Sequence, residues 1–460
     1  MKNIKIAYIG GGSKLWARSF MQDLALAEGI RGEVALFDTD REAAVRNQKI
    51  ATRIHEKKEA VSQFTYTVAD TLPQALTGAD FVLISILPGT FKEMESDVHT
   101  PEKYGIYQSV GDTSGPGGIL RALRTVPMME VIARAVEKCC PEAWVINYTN
   151  PMTLSVKALY DTFPGIKAFG CCHEVFGTQK LMMNMLKEKL GITGIERKDI
   201  KVNVVGVNHF TWLTAARYRN IDLFPMYEEL AREYGDRGFC RGRDENWMND
   251  TFACCHKVKF DLFKRFGMIA AAGDRHLAEF CDGNWYLKDP QTVRDWGFGL
   301  TTVAHRKKDL IERQEKSRKL REGEMPVEIT LSGEEGVSQM RAILGLREPL
   351  VTNVNIPNVG QIPNLPMGAV VETNAVFRSG SVTPVMAGEI PTEIHPLVSR
   401  ICTEQEMLDK ALANRDLGML FNAFAADPLV TCCYEDAKKL FNEMVLNTKE
   451  YLGSYDLSKL

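Results

Sequence analysis

Cys171-Cys172-His173-Glu174 sets two thiols, an imidazole and a carboxylate side by side, directly after the apolar run Ile166-Lys167-Ala168-Phe169-Gly170. That run is short, is bounded by Pro164-Gly165, and reads as a buried strand. Ligands of open α/β sheets gather at the carboxyl ends of strands, so groups arriving there are in position to act. A second run, Val202-Asn203-Val204-Val205-Gly206-Val207, ends in Asn208-His209. At neighbouring strand ends, Cys172 and His209 would share a metal ion. The plainer alternative is a cysteine packed as a small hydrophobe beside a histidine satisfied in the core.

Positioning such groups takes a sheet, and the chain carries the pattern of one. Lys5-Ile6-Ala7-Tyr8-Ile9 is nearly all apolar and ends in Gly10-Gly11-Gly12-Ser13, with helical periodicity beyond it at Leu15, Trp16, Phe20 and Leu24. Strand, glycine turn and helix make a dinucleotide-binding turn credible. Gly10 permits the tight turn, and Gly12 lets the backbone approach a pyrophosphate. Leu15 stands where the motif's third glycine would fall. Val34-Ala35-Leu36-Phe37-Asp38 ends a second strand in a carboxylate at the distance expected of a ribose-binding acid. Such an acid repels a 2′-phosphate and so favours NAD; its alternative is a cap on a helix beginning near Arg41. Further strand patterns at 64–68, 81–86 and 144–149 alternate with helical ones, which implies parallel pairing. The expected fold is a Rossmann-like, doubly wound, mostly parallel sheet. Gly111-Asp112-Thr113-Ser114-Gly115-Pro116-Gly117-Gly118 is too rich in glycine for regular structure and reads as a shaped loop facing nucleotide or substrate. Arg121 and Arg124 follow on a helical pattern, as a solvated face or an anion site.

Past His209 the alternation breaks down. Helical patterns run over 227–234 and 247–266, and Gly273-Asp274-Arg275-His276-Leu277-Ala278-Glu279-Phe280 packs ionisable groups closely. A charged helical stretch over 306–322 reads as solvated surface. Short strands are expected within 351–376, and a helical tail, interrupted at Pro428, over 401–446. Residues 1–209 are expected to form a nucleotide-binding domain and residues 210–460 a mixed α+β lobe that completes the active site. In 460 residues, 45% hydrophobic and 25% charged content are ordinary globular values. A net charge of −3 without a basic run argues against nucleic acid. No apolar run approaches the roughly 18 residues of a membrane span. The N-terminus leads straight into a strand pattern, and eleven cysteines are too sparse for a disulfide framework. A cytoplasmic protein with reduced thiols is expected.

Gly10-Gly11-Gly12-Ser13, Asp38, Gly111-Asp112-Thr113 with Gly115-Pro116-Gly117-Gly118, Asn150-Pro151, Cys172-His173-Glu174-Val175 and Asn208-His209 follow in an order that resembles the NAD-dependent family-4 glycoside hydrolases. Asp274-Arg275-His276 continues the match. The Cys-His-Glu-Val version resembles that of members acting on α-galacturonides. The resemblance implies a two-lobed architecture like that of lactate dehydrogenase, NAD and a divalent metal (usually Mn²⁺) as cofactors, and a homodimer or homotetramer. It also implies a route outside two-carboxylate hydrolysis. NAD⁺ takes a hydride from C3 of the sugar, the ketone acidifies the C2 proton, and a base removes it. The glycosidic oxygen is then expelled, water adds, and NADH returns the hydride.

By the same resemblance, Cys172 and His209 hold the metal, which stabilises charge on the C2 and C3 oxygens. His173 is the general acid, and Asp274 the C2 base with Tyr286 in reserve. Asn150 and His276 bind the sugar, and Arg275 or, second, Arg121 meets its C6 carboxylate. Glu174, an acid beside an anionic sugar, is left without a role. The alternatives are a family-4 enzyme for another α-glycoside (glucuronide, glucoside or galactoside), a hydroxy-acid dehydrogenase that releases NADH, and a nucleotide-sensing regulator.

Overall fold

The computed structural model describes residues 1–239 and 255–460; part of the helical pattern expected over 247–266 lies outside them. Six strands form a parallel core: β1 (Lys2–Ile9), β2 (Ile30–Phe37), β3 (Gln63–Val68), β4 (Phe81–Ile84), β5 (Trp144–Asn147) and β6 (Lys167–Gly170). Their order is β3-β2-β1-β4-β5-β6, all parallel. This is the doubly wound order, and it reverses between β1 and β4, beside the glycine turn. The strands read as continuous apolar runs because helices cover both faces. On one face Ala7, Ile9, Val82 and Ile84 pack with Ile119, Leu120 and Leu123 of the helix Gly115–Cys139 and with the C-terminal helices. On the other, Ile6, Tyr8 and Leu83 pack with Phe20 and Leu24 of the helix Trp16–Ala25.

β11 (Leu350–Pro357), β12 (Val370–Arg378) and β13 (Ser381–Pro384) continue the same sheet antiparallel, joined where Asn355 faces Gly170. A second, antiparallel sheet holds β7 (Ile200–Val207), β8 (Phe210–Tyr218), β9 (Ile221–Asp222) and β10 (Ile269–Ala270), and its β7 lies against β12. The fold is thus the Rossmann-like sheet and mixed α+β remainder that the sequence pattern led to expect. Among the described residues no helix is long and apolar enough to cross a membrane. Cys171 and Cys172 are free thiols. Cys255 is disulfide-bonded, a departure from wholly reduced thiols.

Candidate active site

The turn after β1 is held by backbone sterics. Gly10 has φ +90°, and a Cβ there would sit 2.0 Å from the Ser85 carbonyl oxygen. A Cβ on Gly12 would meet the Ala43 Cβ at 2.6 Å. Both positions therefore require glycine. Gly12 N–H donates to Asp38 Oδ2 at 2.8 Å, and Asn47 Nδ2 ties the turn from outside by donating to the carbonyls of Gly11 and Ser13. The helix Arg41–His55 is capped by Asp40, which accepts from Ala43 N at 3.0 Å. Asp38 is not the cap, and it stands at the end of β2, beside the turn.

A second cluster forms beyond β5, β6 and β7. His209 follows β7 in a left-handed conformation, φ +63°, uncommon for a residue with a Cβ. Its ring stacks on His276 with centroids 3.8 Å apart. Asp112, His209 and His276 each offer a ligand atom within 4.8 Å of the others, a group that could hold a metal ion. Thr113 Oγ1 donates to Asp112 Oδ1 at 2.7 Å and lies 2.9 Å from His209 Nδ1. Because the hydroxyl proton goes to Asp112, the hydroxyl oxygen accepts from Nδ1–H. That leaves the lone pair of His209 on Nε2, the tautomer a metal needs. Burial, then His276, pushes His209 down to about 3, and burial lowers His276 as well, so both rings are neutral donors. Burial would raise Asp112, but the charges facing it, the Arg121 guanidinium foremost, outweigh burial and lower that carboxyl.

Cys172 begins the segment leading into the helix Glu174–Leu190. Burial, then Glu372 and Glu174, push its thiol well above the ordinary range, while Asn208 hydrogen-bonds it. Asn208 Nδ2 also donates to Glu372 Oε2 at 3.1 Å. Asn353 Nδ2 donates to Glu372 Oε1 at 2.6 Å and to the Cys172 carbonyl at 3.1 Å. Strands β11 and β12 thus support the thiol from below. Glu174 accepts from Gly273 N at 2.7 Å and lies 3.7 Å from His276 Nε2 and 4.0 Å from His173 Nε2. Burial would raise it, but the facing imidazoles of His276 and His173 and the Gly273 amide lower it. Glu174 therefore pins the turn before the helix Asp274–Glu279 and orients its histidine.

Of the residues singled out from sequence, His173, His209, His276 and Asn150 come together around Glu174 and Asp112, with Asn150 Nδ2 3.4 Å from Asp112 Oδ2, and Cys172 lies beside Glu174 and Asn208. Others point elsewhere. Asp274 accepts from Val258 N at 3.3 Å and Lys259 N at 3.2 Å, capping the helix Lys257–Phe266, whose N-cap His256 makes no side-chain cap bond. Tyr286 donates to Asp261 at 2.5 Å, and Arg275 donates to Thr301. Glu372 and Glu334 carry no signal of their own in the sequence, Glu279 stands there only as part of an ionisable run, and Arg306 as part of a solvated helix. Glu279 accepts from Val110 N and Gly111 N and so shapes the glycine-rich loop. Glu334 lies 3.5 Å from His173 Nδ1. Asparagines alternating through β11 were a usable signal for the polar floor that includes Glu372.

Comparison with known proteins bears on this geometry. The Family 4 glycosyl hydrolase model matches residues 5–188, and the Family 4 glycosyl hydrolase C-terminal domain matches residues 204–430. An α-galacturonidase of Thermoanaerobacterium saccharolyticum is 56% identical over 99% of this chain and 98% of its own length. One from Bacillus subtilis is 50% identical over 97% of each. A crystal structure from Bacillus subtilis, described as a glucosidase, superposes with TM-score 0.91 at 50% identity, covering 96% of this chain and 100% of the other. A 6-phospho-α-glucosidase from gut microorganisms, solved with NAD and Mn²⁺, shares the fold at TM-score 0.79 and 20% identity, covering 98% of this chain and 99% of the other.

Proposed function

We infer the reaction from one premise: the chain belongs to the family-4 glycosyl hydrolases, and it is a glycosidase. Its substrate class is the α-D-galacturonides, the activity its relatives of 50–56% identity are named for. The observation that carries the reading is local. The half-buried Cys172-His173-Glu174 stretch meets the buried His209 and His276, with Asp112, at the strand ends where a sheet of this kind takes its ligands.

NAD⁺ is proposed for the turn Gly10-Gly11-Gly12-Ser13 with Asp38, since close packing at Gly10 and Gly12 holds a tight backbone turn beside a strand-end carboxylate. A divalent ion, Mn²⁺ first, is proposed for Cys172 and His209 with Asp112 nearby. The neutral imidazole of His209 and the Asp112 carboxylate lie close enough to share it, and the Cys172 sulfur would bind it as the thiolate. When bound, the nucleotide accepts and returns a hydride, and the ion supplies Lewis acidity at the sugar's vicinal oxygens. The chain's own residues do the rest. Asn150, whose Oδ1 is buried without a partner, accepts from a sugar hydroxyl. His173, between Glu174 and Glu334, protonates the leaving oxygen. For the C2 proton the geometry favours His276, whose Nδ1 is buried without a partner, over Asp274, which two helix amides engage.

The test is cleavage of an aryl α-galacturonide with NAD⁺ and Mn²⁺ under reducing conditions, followed at the NADH absorbance and by solvent deuterium at C2. Cleavage with deuterium incorporation and no accumulating NADH is expected. Stoichiometric NADH would instead mark a dehydrogenase. Asp274→Asn should keep the C2 exchange, and His276→Asn should lose it while still binding Mn²⁺.

A further inference from the structure

The helix Val303–Glu322 reads as solvated surface along most of its length, but its first turn faces inward. Arg306 donates from Nη2 to the Val110 carbonyl at 2.9 Å, and its Nε is buried without a partner. Across the glycine-rich loop stands Arg121, on the buried side of the helix Gly115–Cys139 and only 7% exposed. Its Nε is likewise buried and unpaired, and among the described residues its guanidinium makes no hydrogen bond or ion pair. Arg124, one turn on, shows the contrast. It grips both oxygens of Asp97 at 2.5 and 3.2 Å and donates to Thr448.

The acids within reach of Arg121 and Arg306 are mostly engaged. Asp97 is taken by Arg124, and Glu279 gives one oxygen to the amides of Val110 and Gly111 and faces Arg306 as well. Asp112 feels both guanidiniums but spends its oxygens on Thr113 and Asn150. Two guanidinium Nε atoms are thus left unanswered among the described residues, beside the loop that carries Asp112 toward His209 and Asn150. Buried cations normally find partners, and one without a protein partner is explained by a ligand that supplies it.

We propose that Arg121 and Arg306 together receive the C6 carboxylate of the sugar and are the residues that select a uronate over a neutral hexose. Arg275 is not required for this, its guanidinium being engaged with Thr301. The proposal rests on the α-galacturonidase reading and adds to it which side chains make the choice.

The experiment compares kcat/KM for aryl α-galacturonide and aryl α-galactoside in the holoenzyme, and inhibition by free galacturonate and galactose, in wild type, Arg121→Gln, Arg306→Gln and Arg306→Lys. Removing one member of a buried charge pair costs about 30-fold or more, so each Gln variant should lose at least that much galacturonide-to-galactoside preference. Arg306→Lys should recover part of it. A purely structural role, through Val110, would depress both substrates equally and leave the ratio and the inhibition preference intact; that result overturns the proposal while the galacturonidase reading stands. A wild type indifferent to the carboxylate would overturn the reading, and this inference with it.

Discussion

The glycine turn after β1 and the pocket beyond β5, β6 and β7 are built by opposite rules. The turn is local and closed: its parts lie between Gly10 and Asn47, and its polar atoms answer one another, Gly12 to Asp38 and Asn47 to Gly11 and Ser13. The pocket is assembled from Asp112, Asn150, Cys172, His209, His276, Arg306 and Glu372, and it leaves polar atoms unanswered. Among the described residues, Asn150 Oδ1, Asn208 Oδ1, His276 Nδ1 and the Nε atoms of Arg121 and Arg306 are buried without partners. An unmet buried group costs about 1–3 kcal/mol. The free pocket is therefore held against an energetic cost by the sheet around it, and a ligand that meets those groups stabilises it. The turn needs shape; the pocket needs chemistry.

That difference can be broken from either side. His209→Ala removes a metal donor and should lower Mn²⁺-dependent turnover by more than the roughly 10- to 100-fold that loss of a supporting partner costs. Calorimetric NAD⁺ affinity should stay within about twofold, because nothing in the turn touches it; a matching loss of NAD⁺ affinity would show that the regions are not separable. Gly12→Val works the other way. Its side chain would collide with Ala43 Cβ and Asp38 Oδ2, and overpacking of this kind costs about 1–3 kcal/mol. NAD⁺ binding should weaken about 10- to 100-fold, with Mn²⁺ binding, read by electron paramagnetic resonance, unchanged.

The same contrast explains what was legible in the sequence. Gly10, Gly12 and Asp38 could be read because turn chemistry is written in neighbouring residues. The parallel order β3-β2-β1-β4-β5-β6 followed from strands alternating with helices. Cys172 and His209 were legible as residues at strand ends. Their surroundings were not, because Glu372 and Asn353 reach them through antiparallel pairing with a strand that arrives late in the chain. Asp274 was expected as the base by resemblance alone, and its bonds to the amides of Val258 and Lys259 lie outside any local pattern. Arg306 was hidden by composition: it opens a helix whose other charges are solvated, and charge alone does not say which way a first turn faces.

The smallest expected effect lies where the two regions meet. Ser332 N donates to Asp23 Oδ1 at 2.8 Å, and its hydroxyl donates to Oδ2, tying the helix Trp16–Ala25 to the segment that carries Glu334 to His173. Burial raises Asp23 to about 7, against the Ser332 hydrogen bonds that lower it. An acid whose folded pKa exceeds its unfolded value of 3.8 binds its proton more tightly in the native state. The stability it contributes is complete below about pH 4 and is lost as pH rises through about 7. Asp23→Asn cannot titrate, yet it keeps an oxygen to accept from Ser332 N. Denaturation of the two proteins between pH 4 and pH 7 should show the difference moving in favour of the variant, by at most about 1.4 kcal/mol per pH unit. A difference that stays flat would mean that Asp23 is ionised in the fold, and that turn and pocket are joined here by a charged hydrogen bond instead of a shared proton.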